Sequence, residues 1–181
     1  FKFNNFSNLG GLTLGKSSNT ADVTLSSNVS ISGPVTVWGD DVTLTGSLIA
    51  SGAITITANQ DIILNTNTIT SSASNTDIIL RAKRDITTQI NDTTSLAVTS
   101  TGGNILFTSN TDDTNGGGIL ILGGTVISSN GGNITFAGGD ASGSGYATGR
   151  SVASSGWYIE GLRIAGTVSN VVDIDSDGGN I

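Results

Sequence analysis

The sequence has no cysteine, histidine or methionine, one proline (Pro34), and nine aromatic residues: five Phe, two Tyr and two Trp. Without cysteine there is no disulfide framework and no thiol chemistry. Without histidine there is no imidazole to act as a base near neutral pH. Glu160 is the single glutamate among 14 acidic residues, so the acids are aspartates, which suit turns better than helices. Strong helix formers are scarce and no segment shows a 3.6-residue period, which excludes helix. Only seven residues are basic, against a net charge of −7. That balance disfavours nucleic acid and anionic membrane as partners. No apolar run approaches the roughly 18 residues of a membrane span, and no signal peptide is visible.

What is abundant is glycine (26 residues) with Ser, Thr and Asn, and a phrase that repeats. Gly-Gly-Asn-Ile occurs at residues 102–105, 131–134 and 178–181. Two glycines and an Asn tolerate a tight turn, and the β-branched residue enters a strand. The first strands of the repeat are Leu12-Thr13-Leu14, Val35-Thr36-Val37, Ile54-Thr55-Ile56, Ile78-Ile79-Leu80, Ile105-Leu106-Phe107 and Ile134-Thr135-Phe136, and Ile181 opens the next. A second strand follows, as in Val23-Thr24-Leu25, Val42-Thr43-Leu44, Ile62-Ile63-Leu64, Ile86-Thr87-Thr88 and Ile119 to Leu122. A third reads Val29-Ser30-Ile31, Leu48-Ile49-Ala50, Thr68-Ile69-Thr70, Leu96-Ala97-Val98 and Val126-Ile127-Ser128. Three strands in about two dozen residues per turn predict an all-β, three-faced parallel β-solenoid (a β-helix) of about six coils. The irregular step lengths suit a right-handed helix.

The interval from Ile134 to Ile181 is about twice the others. Alternation is lost after Phe136, so residues 138–156 read as an insertion between the first and second faces of the last coil. An extra coil is the alternative. The chain opens on Phe1 and stops inside its own repeat, so 1–181 reads as one solenoid segment of a longer repeat protein.

The phrases Gly10-Gly11-Leu12-Thr13-Leu14-Gly15, Gly33-Pro34-Val35-Thr36-Val37, the run from Asn115 to Gly139, and Tyr146-Ala147-Thr148-Gly149 resemble the β-strand-repeat shafts of giant Bacteroidetes-type surface adhesins. More distantly they are similar to the shaft of filamentous haemagglutinins. The resemblance spans nearly the whole chain. It implies secretion, attachment to the cell surface, and a shaft role in adhesion, biofilm or gliding. It brings no catalytic residues. Expected partners are adjoining coils of the same or another copy, and surface glycans.

Several residues carry a sharper possibility. Asp173-Ile174-Asp175-Ser176-Asp177-Gly178 matches the opening of a Ca²⁺ loop, with three carboxylates at alternate positions. Against this, Val172 and Ile174 fit a strand followed by a Gly-Gly-Asn-Ile turn. Asp22, Asp41, Asp61 and Asp85 recur before the second strand, either as a cation-binding ladder or as turn caps bonding backbone N–H groups; capping is favoured. Arg81, Lys83 and Arg84 share one turn, which fits an acidic partner or a solvated corner. Tyr146, Arg150, Trp157 and Tyr158 lie in or beside the insertion, where stacking on a sugar ring is the functional reading and covering the coil edge the structural one. Ile63, Ile79 and Leu106 fall at outward positions, with Ile79 and Leu106 adjacent on the first face. They form a lateral contact, or a long turn such as 110–117 folds over them. Asp92-Thr93-Thr94 fits a short bacterial O-glycosylation pattern at Thr93. The outward Thr13, Thr36, Thr55, Thr24 and Thr43 resemble the arrays of ice-binding solenoids, but Ile79 and Leu106 interrupt the row.

Some parallel β-helices are polysaccharide lyases and hydrolases. Here Asp40-Asp41 and Asp112-Asp113 are sequence neighbours whose side chains point apart in a strand, whereas hydrolysis needs two carboxylates across a cleft. The sequence therefore favours a non-enzymatic shaft. A glycan-binding module using 138–158 and a head-to-tail filament subunit are the alternatives.

Overall fold

The computed structural model describes residues 9–88, 95–114, 116–149 and 160–181. These form 18 strands in six coils and, among the described residues, no helix. Coil one is β1 (Leu12–Leu14), β2 (Val23–Leu25) and β3 (Val29–Ile31). Coil two is β4 (Val35–Gly39), β5 (Val42–Leu44) and β6 (Leu48–Ala50). Coil three is β7 (Ile54–Ala58), β8 (Ile62–Leu64) and β9 (Thr68–Ser74). Coil four is β10 (Ile78–Ala82), β11 (Ile86–Thr87) and β12 (Leu96–Thr101). Coil five is β13 (Ile105–Ser109), β14 (Ile119–Leu122) and β15 (Thr125–Ser128). Coil six is β16 (Ile134–Gly138), β17 (Leu162–Ala165) and β18 (Asp173–Asp175).

Every third strand pairs in parallel, giving three six-stranded sheets: β1-β4-β7-β10-β13-β16, β2-β5-β8-β11-β14-β17 and β3-β6-β9-β12-β15-β18. The expected three-faced parallel solenoid is therefore the fold. The long last interval is an insertion, because β17 pairs with β14 and β18 with β15 within a single coil.

The register is set by what each strand buries. On the first face β4, β7 and β10 alternate, with Val35, Val37, Ile54, Ile56, Ile78 and Leu80 fully buried and the intervening residues half-exposed. A slip of one residue would turn the whole apolar row outward. Like residues then stack coil on coil, as in Ile54↔Ile78↔Ile105↔Ile134. Phe107 stacks on Phe136 with ring centroids 5.3 Å apart. Most polar groups that enter the interior find partners: Thr88 pairs with Thr125 at 3.0 Å, and the Ser109 hydroxyl donates to the Gly117 carbonyl at 3.0 Å, whereas Thr57 Oγ1, Thr66 Oγ1 and Asn110 Oδ1 are buried without one among the described residues.

Corners add side-chain bonds between successive coils. Before the second face, Asp22 Oδ1 accepts the Asp41 N–H (3.2 Å), Asp41 Oδ1 the Asp61 N–H (2.9 Å), Asp61 Oδ1 the Asp85 N–H (3.0 Å) and Asp85 Oδ1 the Gly118 N–H (2.8 Å). The recurring aspartates are caps, each reaching one coil onward.

A second ladder runs along the corner between the third and first faces. Asp77 Oδ1 accepts the Asn104 N–H (2.7 Å), Asn104 Oδ1 the Asn133 N–H (3.0 Å) and Asn133 Oδ1 the Asn180 N–H (2.9 Å). The full motif is longer than Gly-Gly-Asn-Ile, for a serine precedes it three residues before the second glycine. Ser100, Ser129 and Ser176 donate to the carbonyls of Gly103, Gly132 and Gly179, tying each turn shut. The two glycines have different duties. The first has positive φ (82° at Gly102, 109° at Gly131, 104° at Gly178), which glycine adopts freely. The second passes so close to the preceding coil that a Cβ at Gly103 would lie 2.0 Å from the Thr76 carbonyl oxygen.

Candidate functional site: the insertion folded onto the first face

The insertion leaves β16 at Gly138 and turns back over the outer side of the first face. Main-chain bonds start the turn: Gly139 N–H to the Ser109 carbonyl (3.2 Å) and Gly138 N–H to the Gly145 carbonyl (3.3 Å). Three side chains on the first-face strands and the turn after them fix the segment. Thr108 Oγ1 donates to the Asp140 carbonyl (2.9 Å), Arg81 Nε to the Ala141 carbonyl (2.8 Å), and Asn110 Nδ2 to Thr148 Oγ1 (2.9 Å). Arg81 and Thr108 are partners in the β10–β13 register, so the insertion is anchored on two successive coils.

Within it, Asp140 organises residues 140–144. Its carboxylate accepts the Ser142 N–H (2.7 Å) and Oγ–H (2.6 Å), the Gly143 N–H (3.0 Å) and the Ser144 Oγ–H (2.6 Å). The bonds from Ser142 and then Ser144 hold this carboxyl well below the usual carboxylate range. A depressed folded-state pKa stabilises the knot above the unfolded value of about 3.9, and that support is lost as pH falls through the folded value. The amides of Ser142 and Gly143 are therefore expected to keep their exchange protection through pH 4, in NMR hydrogen exchange. Asp140→Asn should remove that protection with the global melting temperature unchanged. Protection lost already near pH 4 would sink this assignment.

Ile79 and Leu106 are adjacent across β10 and β13, as expected, and both are half-buried. The insertion meets this pair at Leu106: a Cβ at Gly143 would lie 2.8 Å from Leu106 Cδ1. Ile63 is half-buried on the second face between Thr43 and Thr87, so it shares no patch with that pair. Between the insertion and the first face lies a groove of about 240 Å³, whose floor includes Ile79, Leu106 and Thr135.

Other candidates resolve differently. Tyr146 is 81% exposed. Arg150, Trp157, Tyr158 and Thr93 lie outside the described residues. Asp173 and Asp175 are exposed positions of β18 flanking Ile174, which packs on the core, and Asp175 Oδ1 accepts the Asp177 N–H (2.8 Å). Among the described residues no three acidic side chains group to hold a metal ion, and the strand-and-turn account fits this stretch. Arg81, Lys83 and Arg84 do not form one patch. Arg84 makes a bidentate pair with Asp61, whose hydrogen bond raises the guanidinium above its ordinary value; Arg81 holds the insertion; Lys83 is exposed.

The Asp140 knot and the Asp77–Asn104–Asn133 row were not singled out from the sequence. The available signals were an Asp followed by Ser at two and four residues, and an Asp or Asn just before the first-face strand in three successive coils. No protein-family profile, curated protein or solved structure matches the chain.

Proposed function

We propose that this chain is a shaft segment of a secreted cell-surface adhesin or fibre, serving adhesion, biofilm or gliding, and that it performs no catalysis. The observation that supports this is the continuity of the three sheets across all six coils, with a bonded corner ladder beside them. Stacked at about 4.8 Å per coil, six coils make a rod about 29 Å long whose strand hydrogen bonds run along its axis. Load along that axis is shared by whole sheets. The corner aspartates, the largest recurrent set of carboxylates, are spent on backbone N–H groups and are not poised for acid–base work. Antibodies raised against the chain should label unpermeabilised cells of the source organism and extended fibres beyond them. Labelling only after permeabilisation would overturn the reading.

A second reading is end-to-end stacking of the terminal coils on the coils of another copy. Leu162 and Ile164 stand at core register, opposite Ile119 and Ile121, yet are 43% and 49% exposed. At the other end a hollow of about 430 Å³ opens among Leu14, Val23 and Leu25. Light scattering across a concentration series separates the two readings. Growth into long filaments supports stacking, and a constant monomer mass supports a shaft whose neighbours are supplied in the same chain.

A further inference from the structure

The geometry points to a binding site for one unit of a neutral sugar in the groove between the insertion and the first face, and this goes beyond a shaft role. One wall of the groove is the corner row Asp77, Asn104 and Asn133, one residue per coil. Each of these has one side-chain oxygen committed to the backbone N–H of the next coil. That bond fixes the rotamer, and planar geometry then fixes where the remaining polar atom sits. What is left over is an acceptor, Asp77 Oδ2, followed by two amide donors, Asn104 Nδ2 and Asn133 Nδ2, about one coil spacing of 4.8 Å apart. Such a row suits hydroxyl groups, which donate and accept.

Opposite the row, Ser142 and Gly143 form a wall held in place by Asp140. The floor is aliphatic: Ile79, Leu106 and the exposed Thr135. A pyranose has the matching duality, with C–H faces for the aliphatic floor and hydroxyl edges for the polar walls. Pockets of this kind gain orientation from few fixed polar groups over an apolar base. The volume, about 240 Å³, accommodates a single ring with the rest of a glycan in solvent. Charge selects against acidic sugars. Asp77 lines the groove and the ionised Asp140 stands behind its wall, while Arg81, the cation nearest in register, is turned to the Ala141 carbonyl. The site is distinct from one built on Tyr146, whose ring does not line the groove.

The test is NMR of the chain with amide side chains assigned, titrated with a panel of neutral oligosaccharides and matched uronic-acid oligosaccharides. Neutral sugars are expected to shift the Asn104 and Asn133 side-chain amides selectively. Thr135→Lys, a change at an exposed strand position that crowds the groove without adding a ring to stack on a sugar, should weaken binding roughly tenfold or more. Tyr146→Ala should bind as the parent does. The fold of Thr135→Lys is checked by its backbone spectrum, and Thr135→Gln serves if that variant is unfolded. No binding by neutral sugars, preference for the acidic series, shifts centred elsewhere, or undiminished binding by the folded Thr135 variant would each overturn the assignment. None of these outcomes touches the shaft reading, which rests on surface labelling.

Discussion

Gly103→Ala should lower the stability of this protein by about 3 kcal/mol, the upper end for overpacking a tight site. For a domain of this size that corresponds to roughly 6 to 12 °C in melting temperature. The added methyl would sit 2.0 Å from the Thr76 carbonyl oxygen and 2.3 Å from its carbon, both main-chain atoms of the preceding coil. A side chain could swing aside; a backbone cannot move without opening the coil spacing. That spacing is shared by three sheets, so the wedge at one corner lengthens hydrogen bonds on the adjoining faces too. Two controls separate sterics from general loss of glycine. Gly131→Ala has open space but a φ of 109°, so it should cost about 1 to 2 kcal/mol through backbone strain alone. Gly10→Ala has open space and ordinary φ, and should stay within about 0.5 kcal/mol of the parent. Equal losses at Gly103 and Gly10 in thermal unfolding would show that coil clearance is not what the second glycine supplies.

Phe107→Ala should cost about 3 to 5 kcal/mol, the range for deleting a buried aromatic side chain. Phe107 is fully buried in the interior of coil five and is among the bulkiest side chains there. Its ring stacks on Phe136 of coil six. Removing it takes away its own burial and one side of the Phe136 packing. The solenoid cannot collapse around the void, because the three faces are held at fixed separation by stacked strands above and below. Phe107→Leu keeps most of the volume and should cost under about 1.5 kcal/mol. Phe136→Ala should fall between the two, since Phe136 is only half-buried. Urea unfolding of the three variants checks the order. A loss below about 1 kcal/mol for Phe107→Ala would mean that the interior closes over the cavity, against the rigid-frame account.

Placing the side chains narrows two alternatives that the sequence leaves open. The apolar pair Ile79 and Leu106 is adjacent as the alternation implied, and a segment from coil six packs on Leu106, leaving both residues in the floor of the groove beside it. The Asp173-x-Asp175-x-Asp177 spacing imitates a cation loop because a strand places alternate residues on one side. Here the third carboxylate has already entered the turn, with φ of 48° at Asp177.

The sequence by itself determined the solenoid: its three faces, six coils and the place of the insertion. Each strand announces itself through period-two alternation of β-branched residues, and each turn through glycine, Asn or Asp, so the information is local and repeats. Asp22, Asp41, Asp61 and Asp85 could be assigned as caps for the same reason. What only the tertiary structure decided is how residues distant in the chain meet. Arg81 and Ala141 are 60 residues apart and Thr108 and Asp140 are 32 apart, and nothing periodic links them. The insertion follows no repeat, and its position is fixed by a few hydrogen bonds to the first face and its following turn. The groove exists only through that contact. Asp77, Asn104 and Asn133 could be seen as turn residues in the sequence, but their leftover polar atoms line a common wall because three coils stack in register.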